Sequence, residues 1–202
     1  MDELLTLQEI LAAESKAVAA VPLTAAYSAA LDLVQHQVCE LGGKVVASGM
    51  GKAGQIASNI ASTFASTGIP AVNINPAEAQ HGDLGVLQPN DVMLLISNSG
   101  RTDEILRLYE IARMLYPSMR AIVITAEESC PLAQMPDTIN LFTGNPPEVC
   151  PLGLTPTTSI TAMTVIGHLL IVGMMQRTGF TREQYAVRHQ GGSLGEKLRG
   201  KL

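Results

Sequence analysis

Lys44-Val45-Val46-Ala47-Ser48-Gly49-Met50-Gly51-Lys52-Ala53-Gly54, continued by QIASNIASTFAS (55–66) and AVNIN (71–75), is the stretch that decides the fold. KVVAS (44–48) is a short apolar run of strand type, 52–66 has helical character, and the second apolar run follows at once. A strand, a helix and a second strand in such close succession form a parallel crossover unit. Outward from it, DVMLLIS (91–97), RAIVIT (120–125) and TINLF (138–142) read as further strands, with a helical segment at 102–115. The alternation predicts a three-layer α/β fold, a five-stranded parallel sheet flanked by helices. Ligands of such sheets sit beyond the carboxyl ends of the strands. Upstream, residues 3–40 read as helical, with Leu7, Ile10 and Leu11 spaced along one face and Pro22 dividing the stretch. Downstream, 155–178 reads as a long helix, and Thr181 with Gln184 makes a capping box for a short one.

The 202 residues suit one domain with a substantial core, and neither a repeat nor a linker divides them. Apolar residues make up 47% but aromatics only 3%, so the core is expected to be built from Ala, Val, Ile, Leu and Met. A formal charge of −5 argues against a nucleic-acid partner, because phosphate backbones are held by clustered Lys and Arg. Cys39, Cys130 and Cys150 are widely spaced without a CxxC pair, which fits reduced thiols better than a disulfide frame or a zinc site. The acidic start MDELLTLQEI is unlike a secretion signal, and VIGHLLIVGMM (165–175) is too short to span a bilayer. A cytoplasmic protein with a small-molecule ligand and no membrane attachment is the expectation.

Gly49 to Gly54 matches the GxGxxG spacing of dinucleotide sites. The second strand nevertheless ends in Asn73 and Asn75, where a nicotinamide site places an acidic residue. It is no P-loop either, since Val46 stands at the first glycine position and Ala53 follows the lysine. Gly49 and Gly51 still allow an anion to approach a helix N-terminus, with Lys52 adding positive charge; the plain alternative is a tight turn with a surface lysine. Ser97-Asn98-Ser99-Gly100-Arg101-Thr102 is sharper. It gathers three hydroxyls and a glycine at the head of a helix, more than N-capping requires, and so fits a phosphate held without metal. Glu148 in NPPEVCPLG, leading to Thr157, Thr158 and Ser159, joins His81 in the QHGDLG loop and His189 in RHQGG as acid-base groups in Gly/Pro-rich loops.

Those motifs carry a resemblance. GMGKAG, TFASTGIPAVNINPAEAQHGDLG, ISNSGRTDEI, EVCPLGLTPTTSITAMTVIGHLL and HQGGSLGEKL resemble, in order over residues 45–198, the SIS (sugar isomerase) domain of D-arabinose 5-phosphate isomerases. The resemblance implies the flavodoxin-like SIS fold, a homotetramer, no cofactor, and a place at the start of Kdo synthesis for lipopolysaccharide or capsule. Members often carry two CBS domains after the SIS domain; a single SIS domain over 1–202 without them is the expectation here. By motif, the catalytic positions fall on Lys52, Glu104, Glu148 and His189, with His81 nearby. Phosphate and sugar contacts fall on Ser97, Asn98, Ser99, Gly100 and Thr102, with Ser48 facing the substrate. Two departures stand out: Arg101 replaces an acidic residue, and Gln190 replaces a proline. Arg101 is thereby a candidate contact for an anionic inhibitor, for which the downstream sugar CMP-Kdo is the expectation.

Aldose-ketose isomerisation moves a proton between C1 and C2 through an enediol. Glu148 is the expected base, Lys52 the neighbour of the enediolate oxygen, and His189 the shuttle between the two oxygens. Another phosphosugar isomerase, or a non-catalytic sugar-phosphate sensor on the same fold, remains the alternative, because fold alone does not fix function.

Overall fold

Five strands pair in the order β2-β1-β3-β4-β5, all parallel: β1 Val45–Gly49, β2 Ala71–Asn73, β3 Val92–Ile96, β4 Arg120–Thr125 and β5 Thr138–Phe142. The computed structural model describes residues 6–191. β1 and β3 lie at the interior of the sheet and are buried at every position. Cover on both faces is why their sequences are continuously apolar. From β1 the chain goes outward to β2 and returns to β3 on the other side of β1. The loops leaving β1 and β3 therefore diverge and open a crevice at their carboxyl ends. This is the flavodoxin-like order that the resemblance implies.

Side-chain alternation divides the core in two. Val45, Ala47, Val92, Leu94 and Ile96 pack with α2 (Ala25–Val34), α3 (Lys52–Ser66) and α6 (Thr158–Thr178). Val46, Met93, Leu95, Ala121 and Val123 pack with α5 (Asp103–Leu115) and the short α4 (Pro76–Ala79). β2 stops two residues short of the expected end because the side chain of Asn75 accepts the Ala77 N–H and opens α4. Asp91, a buried carboxylate, locks the start of β3. Its carboxylate accepts Lys44 Nζ at 2.7 Å, Lys44 N at 3.0 Å and Gln88 N at 2.8 Å. Removing one partner of such a buried pair typically costs about 3–5 kcal/mol.

The N-terminal helical stretch divides at Pro22 as its sequence predicts, into α1 (Leu7–Ala19), capped by Thr6 and Glu9, and α2, capped by Thr24. Its last turn, Gln35–Glu40, is wound as a π-helix. α6 begins at Thr158 rather than at 155: the Thr155 N–H goes to Cys150 Sγ and the amides of Thr157 and Thr158 go to Glu148. With 21 residues, α6 is long and apolar enough to match a bilayer, a length the 165–175 run alone does not reach, yet half of its most apolar window is buried inside the fold. It is a core helix. α7 (Arg182–Arg188) starts on the expected capping box of Thr181 and Gln184. The expected helical residues 3–5, and the GGSLGEKL stretch from residue 192 onward, lie outside the described residues.

Candidate functional site

The loop leaving β1 spends two of its glycines on packing. A Cβ on Gly49 would lie 2.6 Å from the Ala53 carbonyl, and one on Gly54 would lie 2.6 Å from the Gly49 oxygen, so both must be glycine for α3 to seat on the end of β1. Gly51, at φ +59°, is the N-cap of α3 and brings no side chain to its amides. Lys52 is exposed at the first helical position. Ser48, expected to face the substrate, is instead buried, with Oγ donating to the Ile74 carbonyl at 2.9 Å. It ties β1 to the end of β2 beneath the crevice.

The loop leaving β3 is built differently. Ser97 Oγ lies 2.9 Å from Thr102 Oγ1 and accepts the Gly100 N–H at 3.1 Å, while Ser99 Oγ accepts the Arg101 N–H at 3.3 Å. Gly100, at φ +59°, is seated against the next loop, and a Cβ there would fall 2.1 Å from Cys130 Sγ. The Asn98 carbonyl is held by Ala126 N and Thr125 Oγ1, but its Oδ1 is buried without a partner. Thr102 is the N-cap of α5 and makes no side-chain bond to the helix amides. Arg101 points to Glu127, 3.1 Å away, in an exposed ion pair.

Glu148 finishes the N-terminus of α6. Oε2 accepts the N–H groups of Thr157 and Thr158, both at 2.8 Å, and Oε1 accepts that of Ser159 at 3.4 Å. Burial pushes its carboxyl pKa up. The Ser159 hydroxyl beside it and these three amides outweigh burial and hold the group below its ordinary value of 4.5. The Ser159 hydroxyl stops short of a full hydrogen bond and is itself buried without a partner. Thr158 is buried; its Oγ1 donates to Glu14 of α1 at 2.8 Å and accepts the Val149 N–H at 3.3 Å. On the same loop, the Cys150 thiol is pulled down to about 7, first by the Thr155 hydroxyl and N–H and then by the Leu154 and Leu152 amides, against burial.

These three loops meet around one cavity of about 550 Å³, lined by Met50, Lys52, Ser97, Asn98, Ser99, Thr102, Glu148, Ser159, Ile160 and Met163 among others. Its lining combines a cation, three hydroxyl-bearing residues of the β3 loop, an unpartnered amide oxygen and an anionic carboxylate. Sequence reasoning passed over Ser159 as a site residue, although its place at the head of α6 was visible. Glu104 is half-buried in the first turn of α5 and Thr157 is exposed; neither lines this cavity, nor does Arg101. His81 is exposed beyond α4, its N–H on the Glu78 carbonyl. His189 stacks on Tyr185 with ring centroids 3.8 Å apart and lies at the end of α7. With α6 starting at the cavity, its 21 residues put about 30 Å of helix between the cavity and α7. Neither histidine lines the cavity that holds Lys52 and Glu148.

Fold and crevice define a doubly wound α/β protein with its candidate site at the switch between β1 and β3. Residues 42–173 match the SIS domain model, and the chain belongs to the SIS domain family. It is 47% identical over 156 residues to the arabinose 5-phosphate isomerase KdsD of Yersinia pestis, covering 77% of this chain and 47% of that protein. Its identity to the KdsD of Pseudomonas aeruginosa is 42% over 166 residues, 80% of this chain and 50% of that one. The chain thus spans about half the length of the curated relatives it matches. Among solved structures, a candidate phosphosugar isomerase involved in capsule formation from Bacteroides fragilis superposes with TM-score 0.90 at 56% identity, covering 92% of this chain and 96% of that one. A protein of E. coli CFT073 in complex with arabinose 5-phosphate gives TM-score 0.80 at 33% identity, with coverage of 91% and 95%.

Proposed function

We propose that this chain is an aldose-ketose isomerase that interconverts D-arabinose 5-phosphate and D-ribulose 5-phosphate through an enediol. The observation that carries the reading is the single cavity that holds Lys52, Ser97, Ser99, Thr102 and Glu148 together beyond β1 and β3. The names of the relatives and the arabinose 5-phosphate complex of a similar structure support it. The phosphate goes to the β3 loop, where the Ser97 and Thr102 hydroxyls, now turned to each other, reorient to donate to it. Asn98 Oδ1, an acceptor, suits a sugar hydroxyl rather than the phosphate. Glu148, held as an anion, takes the C2 proton of the aldose and returns it to C1, and Lys52 stabilises the enediolate oxygen. No cofactor is needed in this scheme.

The scheme lacks the histidine that moves protons between the oxygens. We assign that role to His189, or to His81, of another subunit in a homotetramer. Mixing inactive Glu148→Gln and His189→Ala proteins would then restore part of the activity; mixed oligomers that form and stay inactive with either histidine variant would exclude sharing. The sugar made would feed Kdo synthesis for lipopolysaccharide or capsule in the cytoplasm. CMP-Kdo would compete in the same cavity, its anions on Lys52 and the β3 loop. The direct test is purified protein with D-ribulose 5-phosphate: an equilibrating aldose supports the reading, and an inert mixture removes it.

A further inference from the structure

We infer that Glu14, on the peripheral helix α1, is a positioning residue for Glu148, acting through the hydroxyl of Thr158. The inference rests on the isomerase reading only for its kinetic consequence. Glu148 borders the crevice cavity on one side and a second cavity of about 450 Å³ on the other, between the 143–149 loop and α1, where Lys16, Ala17 and Pro147 also line the space. A loop with open space on both sides is not braced by packing at that point, so hydrogen bonds must fix it. The carboxylate itself is fixed to the amides of α6. The backbone next to it is fixed by the Val149 N–H on Thr158 Oγ1, at 3.3 Å.

A hydroxyl has one proton to give, and its direction decides whether that bond stands. Glu14 Oε1, 2.8 Å away, takes the Thr158 proton and so turns the lone pairs of that oxygen toward Val149. Without an acceptor at position 14, the buried Thr158 hydroxyl must find another, and its lone pairs turn with its proton. The Val149 N–H would then lose its partner. α1 buries only Ala17 among its own residues, and Leu7 and Leu11 stay exposed. Its Glu14 carboxylate, by contrast, has Oε2 buried with no partner. Core packing does not account for a carboxylate in that position, because a dry, unpaired oxygen is a cost. Orienting Thr158 does.

The test compares Glu14→Ala, Glu14→Gln and Thr158→Val in the full chain. Glu14→Ala is expected to lower kcat about tenfold with KM within about twofold, because a small misplacement of a reacting group costs rate rather than binding. Glu14→Gln keeps an acceptor oxygen and should recover most of the rate. The double variant Glu14→Ala, Thr158→Val should be no slower than the worse single one, since both break one chain of bonds. Leu11→Ala on the exposed face of α1 controls for general loosening and should leave kcat unchanged. Amide hydrogen exchange gives a readout independent of turnover: the Val149 N–H should lose protection in Glu14→Ala and keep it in Glu14→Gln. Unchanged Val149 protection in Glu14→Ala overturns the inference, as does an unchanged kcat in an active enzyme. If the parent protein fails to isomerise arabinose 5-phosphate, the proposed function falls, and the exchange result alone still decides the role of Glu14.

Discussion

Two helix N-termini border the same cavity and are finished in opposite ways. At α6 the chain supplies its own anion, since Glu148 takes three consecutive amides and lies in the positive end of the helix dipole. At α5 the N-cap Thr102 turns its hydroxyl to Ser97 and leaves the helix amides without a side-chain cap. A filled N-terminus repels a second anion, whereas an open one rimmed with hydroxyls invites it. On the proposed function, the phosphate end of the ligand belongs at α5 and the proton-transfer end at α6, with Lys52 of α3 lining the same cavity.

Replacing the anion at α6 should have the largest effect. Glu148→Gln keeps the shape and one acceptor oxygen but removes the base, so isomerase turnover should fall by at least about 100-fold while substrate still binds. The same variant reads the electrostatics. Because the folded pKa of Glu148 is lowered, its contribution to stability is present above its ordinary value of 4.5 and is lost as pH falls through the folded value. Wild type and variant should therefore converge in thermal stability in acid and separate near neutrality.

At α5 the expected loss is one of affinity. Ser99→Ala removes one donor to a charged acceptor and should weaken binding of the phosphorylated sugar about 10- to 100-fold, measured by calorimetry, leaving kcat nearly unchanged. Equal affinity would move the phosphate away from the β3 loop. A smaller, purely local effect separates the α6 side from the remaining surface. With Cys150 pulled down to about 7 by its loop amides and the Thr155 hydroxyl, its alkylation should speed up about tenfold between pH 6 and pH 8. Cys39, whose thiol is pushed up by burial and by Glu40, should lag behind it, and peptide mass spectrometry distinguishes the two. Smallest of all, Arg101→Gln breaks only the exposed pair with Glu127 and should cost under about 1 kcal/mol in unfolding, measured by denaturant titration.

Much of this was legible because the information is local. Strand runs and helix periods between 44 and 142 fall where the sheet and its helices form, and parallel connectivity follows from their alternation. The SNSGRT loop could be read for the same reason: its hydroxyls, its glycine and the helix they open lie within six residues. Ser48 was misread because alternation along β1, which sends it to the face of Val46, outweighs its nearness to the glycine loop. The pair of Arg101 with Glu127 could not be read in the sequence because the partner is 26 residues away, on the loop after β4. The bond from Thr158 to Glu14 spans 144 residues, so no local pattern encodes it. His189 carries the same lesson at larger scale, since a motif places it in a loop while the length of α6 separates that loop from the cavity along the chain.

The central claim is that Glu148 transfers a proton on a sugar whose phosphate is held at α5. It is tested most directly by following purified protein with D-arabinose 5-phosphate in heavy water by NMR, beside Glu148→Gln and beside D-arabinose without phosphate. The account predicts D-ribulose 5-phosphate from the phosphorylated sugar with wild type, a rate at least about 100-fold lower with the variant, and no conversion of the free sugar. Wild-type turnover that survives Glu148→Gln, or equal turnover of the unphosphorylated sugar, would contradict it.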